Sequence, residues 1–125
     1  EQPHDMLTSH SENAQVASRL TADEFNARVK EVPNLQIVDV RNPGEVADGT
    51  AHQPQTIPVG QIPSRIEELD PSAPTVVFCA GGYRSSVAAS LLRQRGFGDV
   101  SDVIGGYTAY TLYTLYTLYT LMCQQ

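Results

Sequence analysis

The chain has 125 residues, which is enough for one domain with a single hydrophobic core. Fourteen acidic residues against eight basic ones give a net charge of −6, which argues against nucleic-acid and anionic-membrane partners because both need basic patches. No apolar run approaches the roughly 20 residues of a membrane span, and no signal peptide is visible, so we expect a soluble protein.

The cysteine and histidine content limits the chemistry further. Two cysteines, Cys79 and Cys123, are too few for a disulfide framework. Free thiols are typical of a reducing compartment, so we expect a cytoplasmic protein. Neither the cysteines nor the three histidines have the spacing of metal ligands, and we therefore predict no metal site and no cofactor.

Composition divides the chain into three segments. Residues 1–18 are polar and aperiodic, which predicts a linker or disordered tail. Residues 19–112 carry the alternating apolar patterns of a folded domain. Residues 113–125 repeat Thr-Leu-Tyr with a period of three, which fits neither the 3.6-residue helical period nor the alternation of a strand. We interpret this repeat as a low-complexity tail without a function.

The first predicted helix follows Leu20. Thr21 and Glu24 have the spacing of a capping box, and Leu20 and Phe25 have that of a hydrophobic staple. Pro33 is expected to end the helix.

Strands and helices are predicted to alternate through the rest of the domain. The apolar, β-branched runs at 35–40 and 75–78 predict strands that are buried on both faces, as in a parallel sheet. Shorter strands are predicted at 56–59 and 100–104. Helical segments are predicted between and after the strands: a short acidic one after residue 45, then 62–70, 85–95, and one that starts near 105. The order predicts an α/β domain with a small, mainly parallel sheet flanked by helices on both faces.

A cysteine-containing loop, "CAGGYRSS", directly follows the second buried strand. Ligands bind at the carboxyl ends of parallel strands, and the start of the next helix supplies N–H groups and positive potential there. Gly81 and Gly82 permit unusual dihedral angles, and Arg84 adds a permanent charge. These groups would lower the pKa of the Cys79 thiol and predict a nucleophile for sulfur chemistry or for attack on an anionic substrate. The alternative to a reactive thiol is a cysteine that packs as a small, buried apolar side chain, and we favour this alternative for Cys123.

Three motifs together resemble the rhodanese family of sulfurtransferases over residues 19–112. They are "IVDVR", "VVFCAGGYRSS" and "VIGGYTAY". The form "FCAGGYRSSVAASLL" is especially similar to rhodanese domains fused behind a persulfide dioxygenase of the metallo-β-lactamase fold. The resemblance implies a rhodanese-like fold, and a chain that is fused to such a dioxygenase or works with it.

The resemblance also implies a mechanism. Cys79 would take a sulfane sulfur from thiosulfate or a low-molecular-weight persulfide, hold it as a cysteine persulfide, and pass it to cyanide or a thiol. The implied anion-binding loop consists of Ala80, Gly81, Gly82, Tyr83, Arg84 and Ser85. The loop from Cys79 to Arg84 has six residues, one fewer than in the related phosphatases and arsenate reductases, which favours sulfur over phosphate. A non-catalytic rhodanese-like module that binds or regulates a partner is the alternative.

Two other positions match the family pattern. Asp39 and Arg41 match a supporting pair, for which we favour a structural ion pair over direct catalysis. Glu45 also falls at a position of the family pattern; the alternative is that it is a solvated charge on a helix face.

The segment "GTAHQPQTIP" departs from the family pattern. Thr50 stands where the family usually has histidine, and Gln53 and Pro54 replace glycine and alanine. This segment normally lines the approach to the thiol, so the departure leaves the donor preference open. For His52 we favour an exposed loop histidine over an acid–base residue.

Overall fold

The computed structural model describes the backbone of residues 16–124 and the side chains of residues 19–124. Five strands and five α-helices alternate along the chain. They are β1 (Val16–Leu20), α1 (Ala22–Glu31), β2 (Gln36–Asp39), α2 (Pro43–Ala47), β3 (Gln55–Thr56), α3 (Ile62–Arg65), β4 (Thr75–Phe78), α4 (Tyr83–Gln94), β5 (Asp99–Val103) and α5 (Gly106–Cys123). Two 3₁₀ turns, Val59–Gln61 and Ile66–Glu68, flank α3.

All strand pairs are parallel, and the strand order is β1-β5-β4-β2-β3. Strand β4 is central, and all four of its residues are buried. Its side chains alternate between the two faces of the sheet, so Val77 joins one apolar cluster while Val76 and Phe78 join the other. A parallel strand covered on both faces is apolar almost throughout, and the buried hydroxyl of Thr75, the polar residue of β4, donates to the Ala73 carbonyl at 2.9 Å.

Helices cover both faces of the sheet. On one face, Ala88 and Leu92 of α4 pack with Ile62 of α3 around Val77. On the other face, Phe25 of α1 packs with Tyr107 of α5. The predicted fold class, a small parallel sheet with helices on both faces, is confirmed.

Helix α1 begins as its sequence predicts. The N–H of Glu24 donates to Thr21 Oγ1 at 3.1 Å, and the N–H of Thr21 donates to Glu24 Oε1 at 2.8 Å. Phe25 is 1% exposed and packs with Leu20. The helix ends at Glu31, two residues before Pro33.

Two strands differ from the sequence-based expectation. Strand β1 begins at Val16, so residues 16–18 of the expected linker belong to the sheet; the rest of that segment lies outside the described residues. An edge strand held by backbone hydrogen bonds to β5 needs no β-branched run, and "VASRL" has none. Strand β3 is only Gln55–Thr56, because Pro58 lacks an N–H and the chain then turns into a 3₁₀ segment.

The Thr-Leu-Tyr repeat is helical and continues α5 to Cys123. Threonine hydroxyls bond back to carbonyls one turn earlier, for example Thr114 Oγ1 to the Tyr110 carbonyl at 2.9 Å. The leucines of the repeat are exposed; they are Leu112, Leu115, Leu118 and Leu121. Across residues 16–124, no helix has both the length and the apolarity to cross a membrane.

The start of α5 is fixed against the end of β4. The N–H of Tyr107 donates to the Cys79 carbonyl at 2.7 Å, and the N–H of Thr108 donates to the Ala80 carbonyl at 3.1 Å. Gly106 directly precedes Tyr107 and has a φ of 58°. A Cβ at Gly106 would overlap the Cys79 carbonyl oxygen and lie 2.7 Å from that of Ala80. Only glycine allows this approach of the two backbones.

The substitution Gly106→Ala is therefore expected to lower the free energy of unfolding by about 1–3 kcal/mol, through overpacking and an unfavourable φ. Urea denaturation of both proteins measures the change. Gly98→Ala is the matched control, since nothing lies within 4 Å of a Cβ there. Equal stability of the two variants would contradict the proposed contact.

Candidate active site

Cys79 is the residue that follows β4, and it is 1% exposed. The loop after it turns back on itself, so that two backbone N–H groups point at the sulfur. Gly82 N lies 3.1 Å from Cys79 Sγ and Ser85 N lies 3.3 Å from it. Both donors belong to the start of α4, where N–H groups have no partner within the helix. The sulfur therefore occupies the position of an anion at a helix N-terminus.

The Ser85 hydroxyl is a third polar contact of the sulfur. Its Oγ lies 3.5 Å from Cys79 Sγ and 3.1 Å from the Gly82 carbonyl oxygen. A hydroxyl has one hydrogen, so it donates to only one of these acceptors at a time. When the sulfur is a thiol, it donates to Ser85 and the hydroxyl donates to Gly82. When the sulfur is a thiolate, it becomes the stronger acceptor and attracts the hydroxyl hydrogen.

These contacts set the pKa of the Cys79 thiol. Burial, the largest single influence, raises the pKa because it disfavours the charged sulfur. Hydrogen bonds from the Ser85 hydroxyl and from the N–H groups of Ser85, Gly82 and Gly81 lower it, and together they outweigh burial. The pKa of Cys79 is thus below its ordinary value, as expected for a nucleophilic cysteine.

The six predicted loop residues have different roles. Gly81, Gly82 and Ser85 act on the sulfur. Gly82 has a φ of 109°, which glycine adopts without strain. The carbonyl of Ala80 is bonded to α5, and Tyr83 is 80% exposed. Arg84 interacts with the Cys79 sulfur through its charge, while its guanidinium nitrogens are hydrogen-bonded to Glu45 of α2.

Arg84 forms a two-pronged ion pair with Glu45 of α2. Nη1 lies 2.8 Å from Oε1, and Nη2 lies 2.9 Å from Oε2. The Arg84 hydrogen bonds, with one from the Asn42 N–H, lower the pKa of Glu45 to about 2. Glu45 is therefore a partner of the loop and not only a solvated charge. Because Arg84 is paired, the sulfur depends first on the N–H groups and the Ser85 hydroxyl.

Asp39 and Arg41 form a buried ion pair beneath the site. Their side chains are 0% and 4% exposed, and Arg41 Nη2 lies 2.7 Å from Asp39 Oδ2. The hydrogen bonds that Arg41 donates to the Asp39 carboxylate raise the pKa of Arg41. Thr50 Oγ1 donates to the same Asp39 oxygen at 2.7 Å, and Arg41 donates to the Gly49 carbonyl at 2.7 Å. The Arg41 guanidinium also lies 4.3 Å from the ring centre of Tyr107.

This network joins the end of β2, the segment after α2, and the start of α5. The hydrogen bonds of Asp39 and Arg41 are made with each other, with Thr50 and with the Gly49 and Glu45 carbonyls, so we interpret the pair as one that positions the surroundings of the loop. Thr50 takes part, although it replaces the family's usual histidine. The hydrogen bond of Thr50 to Asp39 was not predicted, because the sequence does not show which side chains lie next to each other in the fold.

His52 lies in a different cluster. Its Nε2 is 2.8 Å from Asn26 Oδ1 of α1, and its ring packs edge-on against Phe25 and Tyr110. Burial and the nearby Lys30 lower the pKa of His52. His52 and Gln53 both have left-handed φ values, 60° and 52°, so Gln53 keeps a conformation suited to the glycine it replaces. His52 therefore has no contact that would make it an acid–base partner of Cys79.

In the part of the chain that the structure describes, no three His, Cys, Asp or Glu side chains are placed to hold a metal ion together.

The hydroxyl of Ser85 gives a testable pH dependence. In a Cys123→Ser background, the ultraviolet absorbance of the Cys79 thiolate is expected to appear below the pH typical of free cysteine. Ser85→Ala removes a group that lowers the pKa, so the midpoint moves to higher pH and less thiolate is present at neutral pH. Ser86→Ala is the control, because Ser86 Oγ donates to the Tyr83 carbonyl and not to the sulfur. An unchanged midpoint in Ser85→Ala would contradict the role of the hydroxyl.

Comparisons with known proteins agree with this architecture. Residues 21–112 match the family described as Rhodanese-like domain. A sulfurtransferase of Allochromatium vinosum is 29% identical over 94 residues, covering 75% of this chain and 88% of that protein. A tRNA uridine(34) hydroxylase of Acaryochloris marina is 38% identical over 80 residues, which are 59% of this chain and 26% of that protein.

A solved structure extends the similarity to the fold. A rhodanese-related protein from Thermoplasma volcanium superimposes with a TM-score of 0.70 at 26% identity, covering 77% of this chain and 92% of that one. The matched residues include all of the sheet except β1, and the whole Cys79 loop. The chain belongs to the family of rhodanese-like domains.

Proposed function

We propose that the chain is a sulfurtransferase that moves sulfane sulfur from thiosulfate or a low-molecular-weight persulfide to a thiol or to cyanide. The observation that carries the proposal is the position of Cys79 Sγ, which accepts hydrogen bonds from the N–H groups of Gly82 and Ser85. A thiolate held in this way is both nucleophilic and stabilised as the leaving group of the second step.

In the first step the Cys79 thiolate attacks the outer sulfur of thiosulfate. A sulfur–sulfur bond forms to Cys79, the sulfur–sulfur bond of thiosulfate breaks, and sulfite leaves with the electron pair. The product is a Cys79 persulfide, whose negative charge lies on the outer sulfur. The N–H groups of the loop are the donors available to that anion.

In the second step an acceptor thiolate or cyanide attacks the outer sulfur. The bond between the two sulfurs breaks, and its electron pair returns to Cys79 as a thiolate. The Ser85 hydroxyl supports this step because its hydrogen can turn from the Gly82 carbonyl to the returning charge. No external oxidant or reductant is consumed in the two steps together.

A non-catalytic binding module is the second candidate. Cys79 is only 1% exposed, which favours the binding module, because a reactant could reach the sulfur only through the mouth of the loop. The lowered pKa of the thiol favours the enzyme, since a binding module has no need of a stabilised thiolate.

The biological setting is part of the same proposal. The similarity of "FCAGGYRSSVAASLL" to dioxygenase-fused rhodanese domains supports a chain that is fused to a persulfide dioxygenase or works with one. A reducing compartment, the cytoplasm, would keep Cys79 available as a thiol.

Mass spectrometry of the intact protein tests the proposal. After exposure to thiosulfate or glutathione persulfide, the wild type is expected to gain the mass of one sulfur atom and to lose it on addition of cyanide, with formation of thiocyanate. Cys79→Ala should abolish both the mass gain and the turnover. Cys123→Ser, which removes the exposed cysteine, is the control and should retain them.

Three results would contradict the proposal. One is the absence of a sulfur adduct with every donor, and another is turnover that survives in Cys79→Ala. The third is hydrolysis of a phosphate ester that depends on Cys79, which would make the protein a phosphatase instead.

A further inference from the structure

One side of helix α5 is apolar and exposed. Five side chains on this side, each 62–72% exposed, form what we call the Leu/Tyr stripe: Leu112, Leu115, Tyr116, Tyr119 and Met122. Their spacing of three or four residues places them within about 120° of one another around a helix. The opposite side of α5 faces α1, where the Tyr113 hydroxyl donates to Asp23 Oδ1 at 3.0 Å. Among the side chains that the structure describes, the stripe is thus left open to a partner.

The Thr-Leu-Tyr repeat produces this stripe although its period is three. Each step of three residues turns about 60° less than a full circle, so the leucines move off the exposed side as the helix proceeds. The tyrosines, which follow one residue later, move onto that side at the same rate. Leu112, Leu115, Tyr119 and Met122 therefore have the alternating spacing of three and four residues that is typical of the apolar seam between paired helices.

Helix α5 offers a partner neither charges nor free threonine hydroxyls along the repeat. The hydroxyls of Thr111, Thr114, Thr117 and Thr120 each donate to a carbonyl of α5 itself at 2.8–2.9 Å. All the acidic and basic residues of the chain lie before residue 104. A charged partner surface would lose its hydration here without gaining an ion pair. The stripe therefore fits a partner surface that is itself uncharged and apolar.

A second copy of this chain has such a surface. Two chains of net charge −6 repel each other, and the uncharged side of α5 is where they can approach with the least repulsion. At about 120 Å² each, the five side chains expose roughly 600 Å² per chain, so two copies would bury about 1,200 Å², the lower limit of specific interfaces. Residues 1–15 contain two large apolar residues, Met6 and Leu7, which are too few to cover the stripe.

We propose that the chain forms a two-fold symmetric homodimer in which the Leu/Tyr stripes of two α5 helices pack against each other. Each chain contributes the same residues, as in other isologous interfaces, and tyrosine and methionine are enriched at interface centres. Apart from Leu112, the stripe lies beyond residues 21–112, so the interface belongs to the part of α5 that extends past the rhodanese-like domain. The small area predicts a dissociation constant of micromolar order.

Sedimentation velocity of the whole chain tests the proposal. A Cys123→Ser background prevents a disulfide between the exposed cysteines of two copies. Between about 1 and 500 µM protein, the sedimentation coefficient is expected to rise from that of a monomer to that of a dimer, as a micromolar dissociation constant requires. A monomer over the whole range would overturn the proposal.

Two variants place a charge in the middle of the stripe, Leu115→Glu and Tyr119→Glu. Both positions are exposed and glutamate is a good helix former, so the monomer should keep its fold. Each variant is expected to raise the dissociation constant of the dimer at least about thirtyfold, a loss typical of a central interface residue. Circular dichroism and urea denaturation of dilute samples check that the variants are folded.

Leu121→Glu is the matched control. It makes the same change at another exposed leucine of α5, about 160° around the helix from Tyr119, and should leave the dissociation constant unchanged. Equal dissociation by Leu121→Glu and the stripe variants, or a dimer that survives in the stripe variants, would place the interface elsewhere and overturn the proposal.

A lipid surface is the other apolar partner that the test distinguishes. Co-sedimentation with vesicles of phosphatidylcholine is expected to leave the wild type in solution, since its stripe is covered in the dimer. Vesicle binding by the wild type that is lost in Leu115→Glu would overturn the proposal in favour of a membrane-surface helix. None of these measurements depends on sulfur transfer.

Discussion

The structure is organised around a buried sulfur that backbone N–H groups stabilise as an anion. Two N–H groups, from Gly82 and Ser85, lie within 3.3 Å of Cys79 Sγ. They are available because the first N–H groups of a helix have no acceptor inside it. Burial alone would raise the pKa of the thiol, so the position of α4 relative to β4 decides whether Cys79 is reactive. Small displacements of either element would change the chemistry.

Contacts with elements distant in sequence fix that position. The Cys79 and Ala80 carbonyls accept N–H groups from the start of α5, and Arg84 of α4 is paired with Glu45 of α2. Below them, the buried pair of Asp39 and Arg41 joins β2 to the segment after α2 and to α5. Breaking a buried ion pair by removing one partner is costly, commonly about 3–5 kcal/mol. The charged residues near the site therefore mainly position the backbone, and the backbone stabilises the sulfur.

The sequence predicted those parts of the fold that have local causes. The capping box at Thr21, the apolar run of β4 and the glycines before α4 are properties of a few neighbouring residues, and all are found in the structure. Strand β1 was missed because its register comes from backbone pairing with β5, about 80 residues later in the chain. The partner of Arg84 and the glycine requirement at 106 were missed for the same reason, since both are contacts between distant segments. Family resemblance named candidate residues for the site but did not show which of them touch one another.

The arrangement of Arg84 bears on the choice between sulfur and phosphate. A phosphoryl group presents several charged oxygens and needs a guanidinium free to bind two of them. Here both terminal nitrogens of Arg84 are bonded to Glu45, whose pKa of about 2 keeps the carboxylate charged across the physiological range. A persulfide carries one charge on one outer sulfur, and a few N–H groups are enough to stabilise it. The paired arginine and the six-residue loop therefore favour the same substrate class for independent reasons, one electrostatic and one geometric.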